Sequence, residues 1–237
     1  MKYNGLMGFQ EFSEALQKRN ILLSEETKEK FDLYASYLKE YNEKINLTAI
    51  TEYEEVLDKH FYDSLLAARE PLQGSLCDVG TGAGFPGVVL KIVYPDLKVT
   101  LLEPIKKRCV FLESLIEKLD LKDIEVVNER GEDYSPGHRE CYDYVTARAV
   151  TNLNNLIEVC GAMVKKDGYF ICMRGKDGRE EISNALKAIE TMGFEVESIE
   201  DEQLLNGDQR VISYLKKVRS TPLKYPRKYN IMKKNPL

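Results

Sequence analysis

Residues 78–87 read Asp78-Val79-Gly80-Thr81-Gly82-Ala83-Gly84-Phe85-Pro86-Gly87. They lie between an apolar run that predicts a strand and a segment that predicts a helix. In an open parallel sheet, such a strand-to-helix turn borders the ligand-binding crevice. Glycines there allow positive φ and let the backbone approach a ligand closely. The loop therefore predicts a cofactor site in an α/β protein.

The carboxylate of Asp78 distinguishes two classes of cofactor that use such a loop. Gly82, Gly84 and Gly87 match the dinucleotide pattern G-x-G-x-x-G, which is weak support on its own. A carboxylate beside the loop repels a pyrophosphate but suits a ligand that bears an ammonium and a sulfonium. S-adenosylmethionine is such a ligand. A glycine-rich turn that binds nothing is the alternative.

Two further acidic positions indicate where the ribose and the adenine would bind. Glu103 follows the second predicted strand, about twenty residues after the loop, where a carboxylate can accept hydrogen bonds from both ribose hydroxyls. The third predicted strand leads into Arg130-Gly131-Glu132-Asp133, a position that lies over the adenine in such a sheet. A solvated helix cap at Glu103 and a charged turn at 130–133 are the alternatives.

Short apolar runs alternate with helical stretches after Gly74. Strands are predicted at 76–79, 99–102, 124–127, 142–146, 169–173, 194–199 and 210–216. Helices are predicted at 87–94, 106–119, 153–164 and 180–192. This alternation predicts an α/β fold with a mostly parallel sheet flanked by helices. Because only a loop around Asn206 and Gly207 separates the last two strands, one of them should be antiparallel.

The first seventy residues predict helices instead. Apolar residues recur at three- and four-residue steps at Phe31, Tyr34, Leu38, Tyr41 and Ile45. Ser24 could cap this helix, and weaker helical segments are predicted at 9–19 and 52–69. The predicted organisation is a helical N-terminal cap (1–73), a cofactor-binding core (74–218) and a basic C-terminal arm (219–237).

The composition is that of a globular protein, with 237 residues, 43% hydrophobic and 31% charged. No apolar run approaches the roughly 18 residues of a membrane span, and residues 1–10 do not resemble a signal peptide. We therefore expect a soluble, cytoplasmic protein, and a monomer. Five cysteines without a close pair predict reduced core thiols, and two histidines leave little for a metal site.

Charge is distributed unevenly along the chain. Residues 216–237 contain eight basic residues and no acidic one, so subtracting +8 from the net charge of −5 leaves −13 for residues 1–215. Three prolines predict that the segment after Arg219 is an extended arm that can be removed without loss of fold or cofactor binding. Basic residues interleaved with Tyr225 and Tyr229 suit RNA backbone contacts and base stacking, whereas a disordered arm is the alternative.

Several motifs outside the loop occur together in one known family. They are Asn46-Leu47-Thr48, His60-x-x-Asp63-Ser64-Leu65, Glu103, Lys106-Lys107-Arg108, Arg148-Ala149-Val150 and Tyr225-Pro226-Arg227-Lys228. With the loop they cover nearly the whole chain, which resembles the small-subunit ribosomal RNA methyltransferase G family, also called glucose-inhibited division protein B. The resemblance implies a Rossmann-like class I methyltransferase with a seven-stranded sheet. It also implies transfer of a methyl group from S-adenosylmethionine to N7 of a guanosine in small-subunit (16S) ribosomal RNA, free or in a ribosomal particle.

The resemblance also assigns site residues. The family's cofactor positions correspond to Gly80, Phe85, Gly131, Glu132 and Arg148. Together with the residues derived above, the predicted cofactor set is Asp78, Gly80, Gly82, Gly84, Phe85, Glu103, Gly131, Glu132 and Arg148. The chain has Gly131 where many members have alanine, and Arg174-Gly175 where many have Lys-Gly.

The sequence lacks the motifs of two other classes of methyltransferase, which is consistent with direct methylation of guanine N7. Enzymes that methylate exocyclic amines commonly carry an Asn/Asp-Pro-Pro-aromatic tetrapeptide, and those that methylate cytosine C5 need a cysteine after a proline. Neither Pro-Pro nor Pro-Cys occurs in this chain. The N7 lone pair carries no proton, so direct attack needs neither a base nor a covalent intermediate.

Catalysis would then depend on positioning, for which we predict Arg148, His60 and Asn46, with Thr48 and Asp63 as further candidates. His60, Asp63 and Ser64 would lie on one face of a helix. A histidine packed under the cap, and an Arg148 ion pair with Glu132 or Asp143, are the structural alternatives.

Two other functions would explain part of the sequence. A nicotinamide-dependent dehydrogenase accounts for the glycines but not for Asp78. A non-catalytic RNA-binding protein accounts for the basic arm. The Lys106-Lys107-Arg108 cluster at a helix start opposes the helix dipole, so it could bind phosphate or simply be solvated.

Overall fold

A computed structural model describes residues 8–148 and 152–237 and contains one seven-stranded sheet. Its strands are Ser75–Val79 (β1), Lys98–Leu102 (β2), Ile124–Val127 (β3), Tyr142–Arg148 (β4), Val164–Arg174 (β5), Phe194–Gln203 (β6) and Gln209–Lys217 (β7). The order is β3-β2-β1-β4-β5-β7-β6, in which β1 to β5 are parallel and β7 runs antiparallel to both neighbours. The predicted α/β fold and its antiparallel strand are confirmed.

Helices precede, separate and follow these strands. They are Phe9–Gln17 (α1), Glu25–Asn42 (α2), Tyr53–Val56 (α3), Asp63–Leu65 (α4), Gly87–Val93 (α5), Lys106–Lys118 (α6), Gly131–Tyr134 (α7), Leu153–Gly161 (α8), Gly178–Asn184 (α9), Leu186–Thr191 (α10) and Tyr229–Lys234 (α11). The single helix predicted at 180–192 is two helices, because Ala185 between α9 and α10 has φ −102° and ψ 4°. Within the described ranges, no helix is long and apolar enough to cross a membrane.

The region predicted as one helix at 52–69 has an unforeseen irregularity. A π-helical segment, Leu57–Tyr62, joins α3 to α4, so helical structure continues from 53 to 65. Such segments are rare and often occur at functional sites. This one carries His60 and directly precedes Asp63.

The sheet separates two hydrophobic clusters. One contains the apolar faces of α1, α2, α5 and α6, and the other contains those of α8 and α10. Ser24 caps α2 as predicted, because its side chain accepts a hydrogen bond from Thr27 N. From α2, the ring of Tyr34 stacks on that of Phe85 at 5.4 Å. The N-terminal helices therefore pack directly on the glycine loop.

The C-terminal segment differs from the predicted extended arm. It forms α11, buries Tyr225 and Met232, and lies against the second cluster. Arg227 forms an ion pair with Glu158 of α8, whose side chain is fully buried. A fully buried carboxylate requires such a partner. The prediction that this segment is an extended arm that buries little apolar surface is wrong, whereas the three-part division of the chain stays a prediction.

The burial of the cysteines and of one lysine differs in part from the prediction. All five thiols are free, and Cys77, Cys109, Cys160 and Cys172 are buried, but Cys141 is exposed and so is not a core thiol. Lys217 is fully buried and donates hydrogen bonds to Gly161 O and Met192 O. One of the eight basic residues after 215 therefore adds nothing to the surface charge.

Candidate functional site

The glycine loop lies where the order of the strands reverses. β1 pairs with β2 on one side and β4 on the other, so its carboxyl end is the switch point of the sheet, where ligands bind in such folds. Gly80 and Gly82 have φ of 70° and 63°, in the left-handed region that favours glycine. The N–H groups of Gly80 and Thr81 donate to Leu102 O at 2.9 and 3.1 Å, which attaches the loop to the end of β2.

Asp78 organises the loop from inside the protein. Its Oδ2 accepts hydrogen bonds from Thr81 Oγ1 at 2.6 Å and from Gly87 N at 2.8 Å. Its Oδ1 is also buried but has no hydrogen-bond partner among the described residues. Burial raises the pKa of this carboxyl to about 6, against the lowering effect of the Thr81 and Gly87 hydrogen bonds. Asp78 therefore offers one unsatisfied acceptor at the switch point.

Glu103 lies against the same loop. One carboxylate oxygen accepts a hydrogen bond from Gly82 N at 3.0 Å, and the other accepts one from Ile105 N at 2.9 Å. Arg108 of α6 places a guanidinium nitrogen 3.8 Å from this carboxylate. Because Glu103 is 1% exposed, the alternative of a solvated helix cap is wrong.

Two loop glycines have different surroundings. A Cβ added at Gly82 would meet nothing within 4 Å, so this position faces open space. A Cβ at Gly84 would lie 2.6 Å from Tyr34 Oη and 2.7 Å from Val88 Cγ2. Gly84 therefore lets the loop pack against α2 and α5, and its contact with a cofactor stays a prediction.

Three of the predicted cofactor residues, Gly80, Gly131 and Glu132, line one cavity of about 220 Å³ beside the loop. A Cβ at Gly131 would lie 2.8 Å from a Val159 methyl group and 3.0 Å from a Val79 methyl group, which gives a packing reason for glycine at this position. The cavity wall also contains Asn155 of α8 and Tyr229 and Met232 of α11. The sequence indicated Tyr229 only as a residue that could stack on RNA bases, and it indicated neither Asn155 nor Met232.

Arg148, at the end of β4, meets the N-terminal helices. Its Nη1 donates to Lys59 O and to Asp63 Oδ2, both at 3.2 Å, and its Nη2 lies 3.3 Å from His60 Nδ1. The guanidinium also lies 5.1 Å from the centre of the Phe85 ring. Arg148 pairs with Asp63, so the alternative pairing with Glu132 or Asp143 is wrong; those residues pair with Arg130 and Lys165.

His60 is held in the same cluster. Its ring stacks on Phe85 at 4.2 Å with an interplanar angle of 18°, and its Nε2 is 2.9 Å from Thr48 Oγ1. Burial, and next the charge of Arg148, lower the pKa of His60 to about 3. The imidazole is therefore neutral at physiological pH and serves as a hydrogen-bonding and stacking group.

The remaining predicted positions are less closely involved. Asn46 is exposed in the loop after α2, two residues before Thr48, so its positioning role stays a prediction. Ala149 and Val150 of the Arg148-Ala149-Val150 motif lie outside the described residues. Arg174 at the end of β5 forms an ion pair with Glu181 of α9.

Arg210 joins the site without a sequence signal. From β7, its Nε donates to Asp63 Oδ1 at 2.9 Å, so Asp63 accepts from two arginines on different strands. Burial of Asp63 raises the pKa of its carboxyl, and Arg148 and Arg210 counteract this effect. The two arginines come together because β5 pairs with β4 on one side and with β7 on the other.

A metal site is not apparent in the described part of the chain, where no three His, Cys, Asp or Glu side chains lie together as ligands. Asp63 is instead paired with Arg148 and Arg210, and Asp78 and Glu103 accept hydrogen bonds from backbone N–H groups.

Comparisons with solved structures agree with this fold. Solved structures similar to this chain include M. jannaschii TYW2 in complex with AdoMet, with TM-score 0.55 and 14% identity over 66% of this chain and 75% of that one. A 16S rRNA (adenine(1408)-N(1))-methyltransferase mutant from Catenulisporales acidiphilia, with the cosubstrate SAM, has TM-score 0.53 and 13% identity over 68% and 93%. At these identities, the similarity establishes the fold alone.

Sequence relatives match nearly the whole chain. A ribosomal RNA small subunit methyltransferase G of Oceanobacillus iheyensis is 44% identical over 96% of this chain and 98% of the relative. The protein of the same name from Bacillus cytotoxicus is 45% identical over 98% and 99%. The family model of rRNA small subunit methyltransferase G matches residues 27–220. The chain therefore belongs to the rRNA small subunit methyltransferase G family.

Proposed function

We propose that this protein transfers the methyl group of S-adenosylmethionine to N7 of a guanosine in small-subunit ribosomal RNA. The observation that carries the proposal is the position of Phe85. This residue belongs to the glycine loop at the end of β1, and its ring stacks on His60 and lies beneath Arg148. The cofactor loop and a cluster of positioning groups thus meet at one point of the sheet.

The site fits the proposed cofactor in three respects. The unsatisfied Asp78 Oδ1 suits an ammonium group, and the open space at Gly82 suits close approach of a ligand. The cavity at Gly131 has room for a heterocyclic base. When bound, S-adenosylmethionine supplies an electrophilic methyl group at its sulfonium.

Arg148 can bind a carboxylate from the same ligand. A guanidinium has five N–H donors in a planar fork that matches a carboxylate. Its side chain is 21% exposed, and Asp63 holds only part of the fork. We infer that Arg148 binds the carboxylate of the cofactor while Asp63 and Lys59 O fix its orientation.

The chemistry of the cluster supports direct attack. His60 is neutral at physiological pH, and burial raises the pKa of all five thiols, so neither residue type is set up as an acid or as a nucleophile. Guanine N7 needs no deprotonation. The residues therefore act by orienting the base and the methyl donor, which suffices for a displacement that is limited by geometry.

Exposed cations provide a surface for the RNA. Lys106 and Lys107 at the start of α6 are exposed, as are Lys233 and Lys234 of α11. Both helices begin or end near the cofactor cavity, which Pro104 and Tyr229 line. Lysines suit phosphate contacts as point charges.

The decisive experiment is methyl transfer in vitro. Small-subunit RNA that lacks the modification is incubated with the protein and isotopically labelled S-adenosylmethionine, then digested to nucleosides for mass spectrometry. We expect labelled 7-methylguanosine, and a strong decrease with the Glu103→Ala variant. A protein that retained cofactor and RNA but produced no labelled nucleoside would be a binding module, and one that bound NADH in preference to S-adenosylhomocysteine would be a dehydrogenase.

A further inference from the structure

The C-terminal helix α11 forms one wall of the cofactor cavity. Gly80 and Gly131, at the ends of β1 and β3, lie on one side, while Tyr229 and Met232 of α11 complete the lining. The volume of about 220 Å³ is below the roughly 300–1,000 Å³ of pockets that hold a whole drug-sized ligand. It therefore suits one part of a larger ligand, such as a purine ring.

Contacts on both sides of α11 hold it in this place. Before the helix, Arg227 donates from its backbone N, Nε and Nη2 to the buried Glu158, at distances of 2.6 to 2.9 Å. Further upstream, Arg139 donates to Thr221 O at 2.6 Å. After the helix, Asn154 Nδ2 donates to Leu237 O at 3.0 Å. The wall is thus attached to α8, which forms the neighbouring side of the cavity.

The lining presents the chemistry that an adenine needs. Met232 is 1% exposed, and its thioether together with Leu156 and Val159 makes a largely apolar surface for a ring. Tyr229 adds an aromatic ring that can stack. Asn155 belongs to the same lining, and its Oδ1 is buried without a hydrogen-bond partner among the described residues. A buried acceptor of this kind is costly unless a ligand supplies the donor.

We propose that Met232 and Tyr229 of α11 enclose the adenine of the cofactor and that Asn155 accepts a hydrogen bond from its exocyclic amine. The C-terminal segment is then part of the cofactor site as well as a basic surface. This inference rests on the proposed function, because it takes the cofactor to be S-adenosylmethionine. It replaces the expectation that the segment can be removed without affecting cofactor binding.

The test measures S-adenosylhomocysteine affinity of the full chain by calorimetry. Met232→Ala removes the buried side chain, and Ile231→Ala is the matched control, because Ile231 lies on the same helix but is 48% exposed and outside the lining. We expect at least tenfold weaker binding for Met232→Ala and no change for Ile231→Ala. Tyr229→Ala, at a position 45% exposed, provides the same test should Met232→Ala lower the melting temperature.

A second measurement tests Asn155. The affinity of S-adenosylhomocysteine is compared with that of its 6-oxo (inosine) counterpart, which lacks the amine. We expect the wild-type protein to prefer the adenine form, and Asn155→Ala to lose most of this preference.

The outcomes separate the two proposals. Wild-type affinity in both Met232→Ala and Tyr229→Ala would overturn the role of α11 and leave the proposed function intact. An unchanged preference in Asn155→Ala would overturn the role of that amide. A wild-type protein that bound no S-adenosylhomocysteine would overturn the proposed function and this inference with it.

Discussion

Asp78 Oδ2 accepts a hydrogen bond from Gly87 N at 2.8 Å, so a carboxylate one residue before the end of β1 holds the first residue of α5. The intervening residues must form a compact loop between these two points. A Cβ at Gly87 would lie 2.4 Å from a Leu101 methyl group and 2.9 Å from this carboxylate, so only glycine permits this approach. The loop geometry thus depends on a buried carboxylate whose other oxygen, Oδ1, has no hydrogen-bond partner among the residues that the structure describes.

This relationship predicts a pH dependence of cofactor binding. Burial raises the pKa of Asp78 to about 6, and an ammonium group beside it would favour the ionised form. The affinity for S-adenosylhomocysteine should therefore rise as the pH rises through about 6, with proton release on binding below that pH. Calorimetry in buffers of different ionisation enthalpy measures this release. Asp78→Asn should abolish it; an unchanged release in that variant would assign the proton elsewhere.

The raised pKa of Asp78 also makes the stability of the protein depend on pH. Because the pKa of Asp78 is higher in the folded chain than its ordinary value of 3.8, the folded state binds more protons between these values. The contribution of Asp78 to stability is fully present below pH 3.8 and is lost as the pH rises through about 6. Between pH 3.8 and about 6, the free energy of unfolding, measured with urea, should decrease more steeply with rising pH in the wild type than in Asp78→Asn.

His60 should behave in the opposite way. Its pKa is lowered from 6.5 to about 3, so its contribution to stability is present above pH 6.5 and is lost as the pH falls toward 3. NMR of the imidazole nitrogens should show His60 neutral at pH 5. Titration of His60 near pH 6.5 would mean that the ring is not buried against Phe85 and Arg148.

Alanine at two loop glycines should separate cofactor binding from folding. A methyl group at position 82 would point into open space, so Gly82→Ala causes no clash. The positive φ of this residue should cost the variant about 1–2 kcal/mol of stability. The added methyl group would also occupy the space through which the ligand approaches the loop. Gly84→Ala meets Tyr34 and Val88 and should lose roughly 1–3 kcal/mol more from overpacking. We expect Gly82→Ala to weaken S-adenosylhomocysteine binding at least tenfold with modest loss of stability. Urea unfolding measures the stability of both variants, and calorimetry measures their affinity for S-adenosylhomocysteine. A larger loss of stability in Gly82→Ala than in Gly84→Ala, with unchanged binding, would contradict the loop geometry.

The exposed lysines of the C-terminal segment should set the salt dependence of RNA binding. For single-stranded RNA, each phosphate that the protein no longer neutralises lowers the logarithmic salt slope by about 0.7, so replacing Lys224, Lys233 and Lys234 by Gln should lower it by about 2. Lys98→Gln and Lys166→Gln, at exposed positions where β2 and β5 begin, are the controls. Equal slopes in the triple variant and the controls would exclude this segment as an RNA surface.

The sheet could be predicted because each strand is marked by local apolar patterning. The strand predicted at 124–127 has the same bounds as β3, and the helices predicted from Gly87 and Lys106 begin at those residues. The glycine loop and Glu103 were found for the same reason: both adjoin strand ends, and parallel strand ends meet at one edge.

The other features of the site could not be predicted, because they depend on contacts between segments that are distant in sequence. Arg210 reaches Asp63 only because β7 lies beside β5, and no local pattern marks the residue. The C-terminal segment was predicted to be extended because it contains three prolines and many lysines. Its packing depends on Tyr225 and Met232, which no regular apolar pattern marks. Asn155 belongs to no sequence motif, and what distinguishes it is its place in the cavity lining and an Oδ1 without a partner in the described part of the chain.

Methylation of guanine N7 in small-subunit ribosomal RNA is the reaction that we propose for this site. The most direct measurement maps 7-methylguanosine, by reduction and aniline cleavage, in that RNA from cells that lack this protein. We expect one site to be unmethylated, to be restored by the wild-type protein, and to remain unmethylated with Arg148→Ala. The same 7-methylguanosine pattern with and without the protein would show that another enzyme introduces every 7-methylguanosine of that RNA.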